Sequence, residues 1–189
     1  MMDAFPDTQE QLIADMWQAH EAGAMSTVIE LGCHARQQGL ACERTEWLLA
    51  VAQQSQGRLG EAIASFRQLA LRWPGRASHW NNLGVVARQA GDDSAAEEAF
   101  TRALQLLPDD WELHYNLGLL YLQQRRLLAA RVHLLLASDA ARDDIEVTLQ
   151  AAHACHLCGD TGQQVRLLAG AGAWPPLAAE RSDERRVGQ

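Results

Sequence analysis

The sequence repeats itself with a fixed period, and this period constrains the fold more than any other feature. The segment 80–87 (WNNLGVVA) aligns with the segment 114–121 (HYNLGLLY), and this offset of about 34 residues is the period of the repeat. Small and apolar residues follow the two segments at equal distances, namely Ala96, Phe100 and Ala103 after the first and Ala130, Leu134 and Ala137 after the second. A period of this length is too short for a domain, so it indicates supersecondary units that stack in a row.

The pattern resembles the tetratricopeptide repeat, whose 34-residue unit carries Trp, Leu-Gly, Tyr, Ala, Phe and Pro at fixed positions. Residues 77–110 match that pattern except at Ala87, which stands where the family has Tyr. Residues 43–76 stay in register, although Trp47 lies one place later than the family's Trp. The outer units, 9–42 and 145–178, keep fewer of the motif residues.

The resemblance implies an all-α fold, a right-handed superhelix or α-solenoid of about five helix-turn-helix hairpins. The abundance of Ala and Leu and an aromatic content of only 6% agree with closely packed helices. We expect a leader at residues 1–8, a single array over 9–178 and a polar C-terminal tail at 179–189. The units are expected at 9–42, 43–76, 77–110, 111–144 and 145–178.

Glycine and acidic residues predict where each hairpin turns and where helices begin and end. Side chains of the segments Asp92-Asp93-Ser94 and Asp160-Thr161 are expected to cap second helices. Arg125 stands at the turn of the fourth hairpin, and because a Cβ disfavours the left-handed conformation, we expect that hairpin to turn by a different route. The other turns carry Gly23, Gly57, Gly91 and Gly159, and prolines mark three helix ends at Pro74, Pro108 and Pro176.

The family resemblance also implies that the first helix of each hairpin lines a concave, peptide-binding groove. Asn82 and Asn116 occupy equivalent places and resemble a short asparagine ladder for a peptide backbone, although Asn could simply be tolerated there. Trp47 and Tyr115 could be exposed anchors or wedges between hairpins. Carried over from the family, the groove residues begin with Trp17 and continue as Trp47, Val51, Asn81, Asn82, Val85, Arg88, Tyr115, Asn116, Leu119, His153 and His156.

Charge narrows the class of partner. The formal net charge is −8, and the 16 basic residues, all arginine, are spread along the chain rather than clustered, which argues against a nucleic-acid partner. A clamp for acidic C-termini needs Lys and Arg on consecutive first helices, where this chain has Asn81, Val85, Glu146 and Gln150. We expect a protein or extended peptide that is neutral or basic rather than acidic, and the chain could also pair with itself as a homodimer.

The segment 153–158 (HACHLC) is the one cluster that suggests chemistry, because two thiols and two imidazoles at this spacing could in principle hold zinc. Its position inside a first helix favours buried cysteines instead, since Cys155 and Cys158 take interior places of the repeat. We therefore predict no metal, no cofactor and no catalytic residues.

These observations predict a non-catalytic scaffold or adaptor. Two alternatives stay open, namely the substrate-recognition module of a larger enzyme of the transferase or hydroxylase type, and a chaperone of a secretion system. No stretch has the length and apolarity of a membrane helix, residues 1–10 lack the features of a signal peptide, and the four cysteines do not suggest a disulfide framework. We expect the cytoplasm, with no membrane partner.

Overall fold

Ten helices follow one another along the chain in the computed structural model, which describes residues 8–171. That part of the chain contains no strand. The helices are α1 (Gln9–Glu21), α2 (Met25–Gln37), α3 (Glu43–Ser55), α4 (Leu59–Arg72), α5 (Ala77–Gln89), α6 (Asp93–Leu106), α7 (Trp111–Gln123), α8 (Leu127–Ala140), α9 (Ile145–Leu157) and α10 (Thr161–Gly170). The five odd-numbered helices begin at equal intervals that match the sequence period. The all-α solenoid fold expected from the sequence repeat is confirmed.

The helices group into two compact units, Met1–Leu113 and His114–Gln189, of which residues 8–113 and 114–171 are described. The first unit holds α1 to α6 and the start of α7, and the second holds the rest of α7 and α8 to α10. The expected leader, apart from Thr8, and the expected tail lie outside the described residues, as does Pro176. None of the described helices is long and apolar enough to span a membrane.

The first unit buries its apolar residues between successive hairpins. Helix α1 packs on α2 and α3, and the contacts continue from α3 to α4, from α4 to α5 and from α5 to α6. One cluster is built around Leu12, Met16 and Leu49, and the next around Phe66 and Leu83. Each hairpin therefore completes its core with side chains of its neighbour, as stacked repeats require.

A glycine on a first helix allows the two helices of a hairpin to approach closely. A Cβ added at Gly84 would lie 2.6 Å from Cε1 of the buried Phe100 ring. In the second unit a Cβ at Gly118 would lie 2.7 Å from Cγ of Leu134. Both distances are shorter than van der Waals contact, so packing explains the glycine of the motif's Leu-Gly pair.

The hairpin turns share one backbone conformation. Gly23, Gly57, Gly91 and Gly159 have φ between +71° and +78°, which glycine adopts without steric cost. Arg125 takes the same place with φ +60°, and its amide donates to the Leu122 carbonyl just as the Gly91 amide donates to Arg88. The expectation that this hairpin turns by a different route is wrong.

The side chains that begin the helices also follow the sequence. The carboxylates of Asp92 and Asp160 accept hydrogen bonds from the amides of Ala95 and Gln163, each at 3.1 Å. These caps satisfy amides that the helix itself leaves without a partner. Helices α4 and α6 end at Arg72 and Leu106, each two residues before the expected proline.

Candidate functional site

An open apolar cleft of about 790 Å³ lies between the first two odd-numbered helices of the first unit. Helix α1 contributes Ile13, Ala14 and Trp17 to its floor, and α3 contributes Trp47 and Leu48. This combination of aliphatic side chains with two indole rings provides the apolar area that binding surfaces use for anchoring.

Trp17 presents much of its ring to solvent in this cleft. Its side chain is 47% exposed, which is high for a tryptophan. The indole Nε1 donates to Oε1 of Glu21 at 2.9 Å, and the ring stacks on His20 with 5.8 Å between centroids. Both contacts favour this orientation of the ring, which lowers the side-chain entropy that a binding partner would remove.

Trp47 packs between hairpins and also lines the cleft. Its ring is half-buried and packs against the apolar clusters on both sides of α3, which makes it a wedge between hairpins. The same side chain lines the cleft beside Trp17. A second hollow next to it is lined by Glu43, Arg76 and His79, where Glu43 Oε1 pairs with His79 Nε2 at 2.9 Å.

The charged groups of the cleft are mainly acidic. Glu10 and Glu21 line it with carboxylates, and Arg44 contributes a guanidinium group. All three residues are exposed, so their charges act at the rim and leave the apolar floor uncharged. Such an arrangement favours ligands that combine an apolar side chain with positive charge.

The predicted groove residues are divided between the two units. In the first unit Val51 packs into the core beside Trp47, and Asn81 donates to Oε1 of Glu112 at 3.4 Å. Asn82, Val85 and Arg88 on α5 are half-buried. The structure thus leaves the α5 residues partly accessible, as a binding surface needs.

In the second unit the predicted residues differ widely in exposure. Tyr115 donates its hydroxyl to Oε1 of Glu146 at 3.0 Å and packs against the core, whereas Asn116 is only 9% exposed. Leu119 is half-buried, and His153 and His156 are exposed. The two asparagines of the predicted ladder therefore stand in unlike surroundings, with Asn82 the more accessible of the pair.

The cysteines of the segment 153–158 face the protein. Cys155 is fully buried, and burial, with a smaller effect of Asp160, raises the pKa of its thiol and keeps it neutral. The Cys158 thiol donates to the carbonyl of Leu127 at 3.3 Å. Within residues 8–171 no three His, Cys, Asp or Glu side chains converge in a way that could hold a metal ion. These cysteines act as small core residues.

Sequence reasoning missed most of α1 in the cleft, including Ile13, Ala14 and Glu21. The family motif is thin in the first hairpin, so little there suggested a site. The offset between repeats could have found these residues, because Ile13 is equivalent to Trp47 and Trp17 to Val51. Aligning the repeats at their exposed positions, and not only at their motif positions, would have identified these residues.

Comparisons with known proteins agree with the helical repeat. A segment of 107 residues, 55% of this chain, is 35% identical to "BBSome complex member BBS4" from Xenopus tropicalis, of whose length the chain spans only 20%. The crystal structure of MamA protein superposes with a TM-score of 0.78 at 18% identity, over 87% of this chain and 90% of that one. A tetratricopeptide repeat protein from Parabacteroides merdae gives a TM-score of 0.74 at 20% identity, over 87% of this chain and 65% of that one.

Sequence profiles of the tetratricopeptide repeat match this chain twice. The first match covers residues 48–110 and the second covers residues 87–152, so together they span more than half of the chain. The matched region includes the motif residues that gave the sequence period. The chain belongs to the tetratricopeptide repeat family.

Proposed function

We propose that the protein is a non-catalytic scaffold that holds a neutral or basic peptide segment in the cleft between α1 and α3. The observation that carries this proposal is that exposed Trp17 and half-buried Trp47 line one apolar cleft, with the exposed Glu10 and Glu21 at its rim. The indole rings would grip apolar side chains of the partner, and the carboxylates would attract its Arg or Lys residues.

The predicted groove residues extend this proposal beyond the cleft. In the first unit, Asn81, Asn82 and Val85 on α5 are proposed to contact the peptide backbone and further side chains. In the second unit, we propose Leu119 and the exposed His153 as a separate contact surface. Because Asn116 is nearly buried, Asn82 contributes more than Asn116 to any such binding.

The relative from Xenopus tropicalis supports a role in assembly, since it is described as a member of a complex. A scaffold role in a multiprotein assembly is the part of that description that we extend to this chain. The cytoplasm is the compartment we propose, which agrees with the exposed free thiol of Cys33.

A selection from displayed random peptides tests the binding function. Peptides retained by the wild-type protein should combine aromatic or aliphatic residues with Arg or Lys, and fluorescence anisotropy of the selected peptides gives their affinity. Trp17→Ala should weaken binding by roughly 30-fold, the effect expected for an interface residue worth about 2 kcal/mol. Trp111→Ala is the matched control, because this exposed tryptophan lies outside the cleft.

The charge of the selected peptides tests the other half of the proposal. Glu10→Arg should lower the affinity for basic peptides and leave peptides without charge almost unaffected, because Glu10 lies at the exposed rim. Enrichment of acidic peptides, or equal losses from Trp17→Ala and Trp111→Ala, would contradict the assignment of this cleft.

A further inference from the structure

The outer face of α8 carries an exposed apolar stripe. Leu128, Val132 and Leu136 follow one another at intervals of four residues, so they lie on one side of the helix. Their exposed fractions are 69%, 53% and 47%. Three large aliphatic side chains exposed to water on one face of a helix cost free energy, which burial against another surface would recover.

The repeat itself gives no reason for this stripe. At the equivalent places one repeat earlier, α6 has Ser94, Glu98 and Arg102, and all three are exposed. One repeat further back, α4 has Gly60, Ala64 and Gln68, which are exposed as well. Second helices of this chain therefore fold with polar or small residues at these places, and the apolar set on α8 serves another purpose.

The stripe is complementary to itself. A two-fold axis at Val132 pairs each residue with the one at the same distance on the other side, so Leu128 of one copy meets Leu136 of the other. Asp139 lies on α8 seven residues after Val132, and Arg125 lies seven residues before Val132, in the turn that precedes the helix; both are exposed. An antiparallel pair of α8 helices thus places opposite charges together at both ends of its apolar contact.

The surroundings of the stripe support the same arrangement. Residues 125–129 line a shallow hollow of about 490 Å³ at the start of α8, where Leu136 of a second copy would lie. Asp139 of that copy would also approach the amino end of α8, whose helix dipole favours a negative charge. Each copy offers the same surface, as an isologous interface requires.

We propose that the protein forms a two-fold symmetric homodimer in which α8 packs antiparallel against α8 of a second copy. The apolar contact is Leu128, Val132 and Leu136 from each copy, and the register is fixed by Arg125 and Asp139. This surface shares no residue with the cleft between α1 and α3, so dimer formation and peptide binding can be tested with separate variants.

Sedimentation velocity and light scattering over a roughly hundredfold range of concentration test the dimer. The wild-type chain should shift from monomer to dimer within that range, and Val132→Glu should remain monomeric because it places two carboxylates at the axis. Leu71→Glu is the matched control, since Leu71 is 67% exposed on α4 and lies outside the stripe. Circular dichroism confirms that each variant keeps its helices.

A charge exchange tests the register. Arg125→Asp alone and Asp139→Arg alone each bring like charges together and should weaken the dimer, whereas a mixture of the two variants should form a heterodimer with both pairs restored. A wild-type chain that stays monomeric would overturn the proposal and assign the stripe to a different protein. Dimers that survive Val132→Glu, or variants that do not recover when mixed, would overturn it as well.

Discussion

Each compact unit has one apolar surface that we propose as a contact surface, and the two surfaces lie on different helices. In the first unit it lies on α1 and α3, where Trp17 and Trp47 line a cleft. In the second unit it lies on α8, with Leu128, Val132 and Leu136. The two units also differ in charge. Residues 8–113 carry fourteen carboxylates and eight guanidinium groups, whereas residues 114–171 carry five of each.

The comparison distinguishes two kinds of position in the repeat: buried positions, which specify the fold, and exposed positions, which are free to serve contacts with partners. Buried places repeat closely between units, as in the pairs Gly84 with Phe100 and Gly118 with Leu134. Exposed places on the same helices change from polar to apolar without altering the hairpin. The charge of the first unit matches the basic peptide that we propose, and the balanced charge of the second unit matches the proposed contact between two copies.

Both units rely on a close approach of the two helices of a hairpin, and mutations there should have the largest effect on stability. Gly84→Ala should cost about 1–3 kcal/mol of unfolding free energy, because the new methyl group overlaps the Phe100 ring. Gly118→Ala should cost a similar amount in the second unit, where Leu134 is in the way. Urea unfolding measures both values.

Gly60→Ala is the matched control for these variants. A Cβ at Gly60 meets nothing within 4 Å, so the change should stabilise α4 by about 0.5–1 kcal/mol through helix propensity. If Gly84→Ala is tolerated and Gly118→Ala is not, the two units do not share the packing that we describe.

The turn at Arg125 is where the second unit departs from the first in sequence and yet keeps its backbone. Arg125→Gly should raise stability by about 0.5–1 kcal/mol, because it relieves a left-handed residue at φ +60°. Unfolding should be measured in a chain that also carries Val132→Glu. That chain is expected to be monomeric, so loss of the proposed dimer contact of Arg125 does not affect the result. Gly91→Ala, at φ +78° in the first unit, should change stability in the opposite direction.

A weak dependence on pH should distinguish the second unit. His114 Nδ1 and His133 Nδ1 lie 2.9 Å apart, and burial together with the charge of His114 lowers the pKa of His133. An unfolded imidazole has a pKa of about 6.5, so the unfolded state takes up the proton first and stability falls as the pH drops below that value.

This loss should appear as a melting temperature that falls by a few degrees at most between neutral pH and about pH 5.5. His133→Gln should flatten the profile, whereas His153→Gln should leave it unchanged because His153 is exposed. A melting temperature that rises on acidification in the wild-type protein would contradict the direction of the pKa change.

Local signals in the sequence predicted most of the fold. The repeat period places the odd-numbered helices, and Asp92 and Asp160 cap the helices that they were expected to cap. The turn at Arg125 was not predictable from its own preference, because the backbone there follows the helices that it joins. Its neighbour Arg126 lies 4.1 Å from the centroid of the Tyr121 ring, a cation–π contact that a local motif does not show.

The candidate surfaces were less predictable than the fold. Trp47 was expected in the groove and lines the cleft, but Ile13 and Ala14 were missed because the first hairpin keeps little of the motif. The stripe on α8 was missed for a related reason. The motif residues of the repeat are buried, so a search for them overlooks Leu128, Val132 and Leu136, which lie at exposed positions.

The regular spacing of the helices also bears on how the chain acquires its structure. The helices that pack together in each unit are near neighbours in sequence, such as α1 with α2 and α3. Only short loops of chain must then be closed before each contact forms, so the entropic cost of closure is small. A nascent chain can fold hairpin by hairpin as it leaves the ribosome, and each completed hairpin offers an apolar face on which the next one forms.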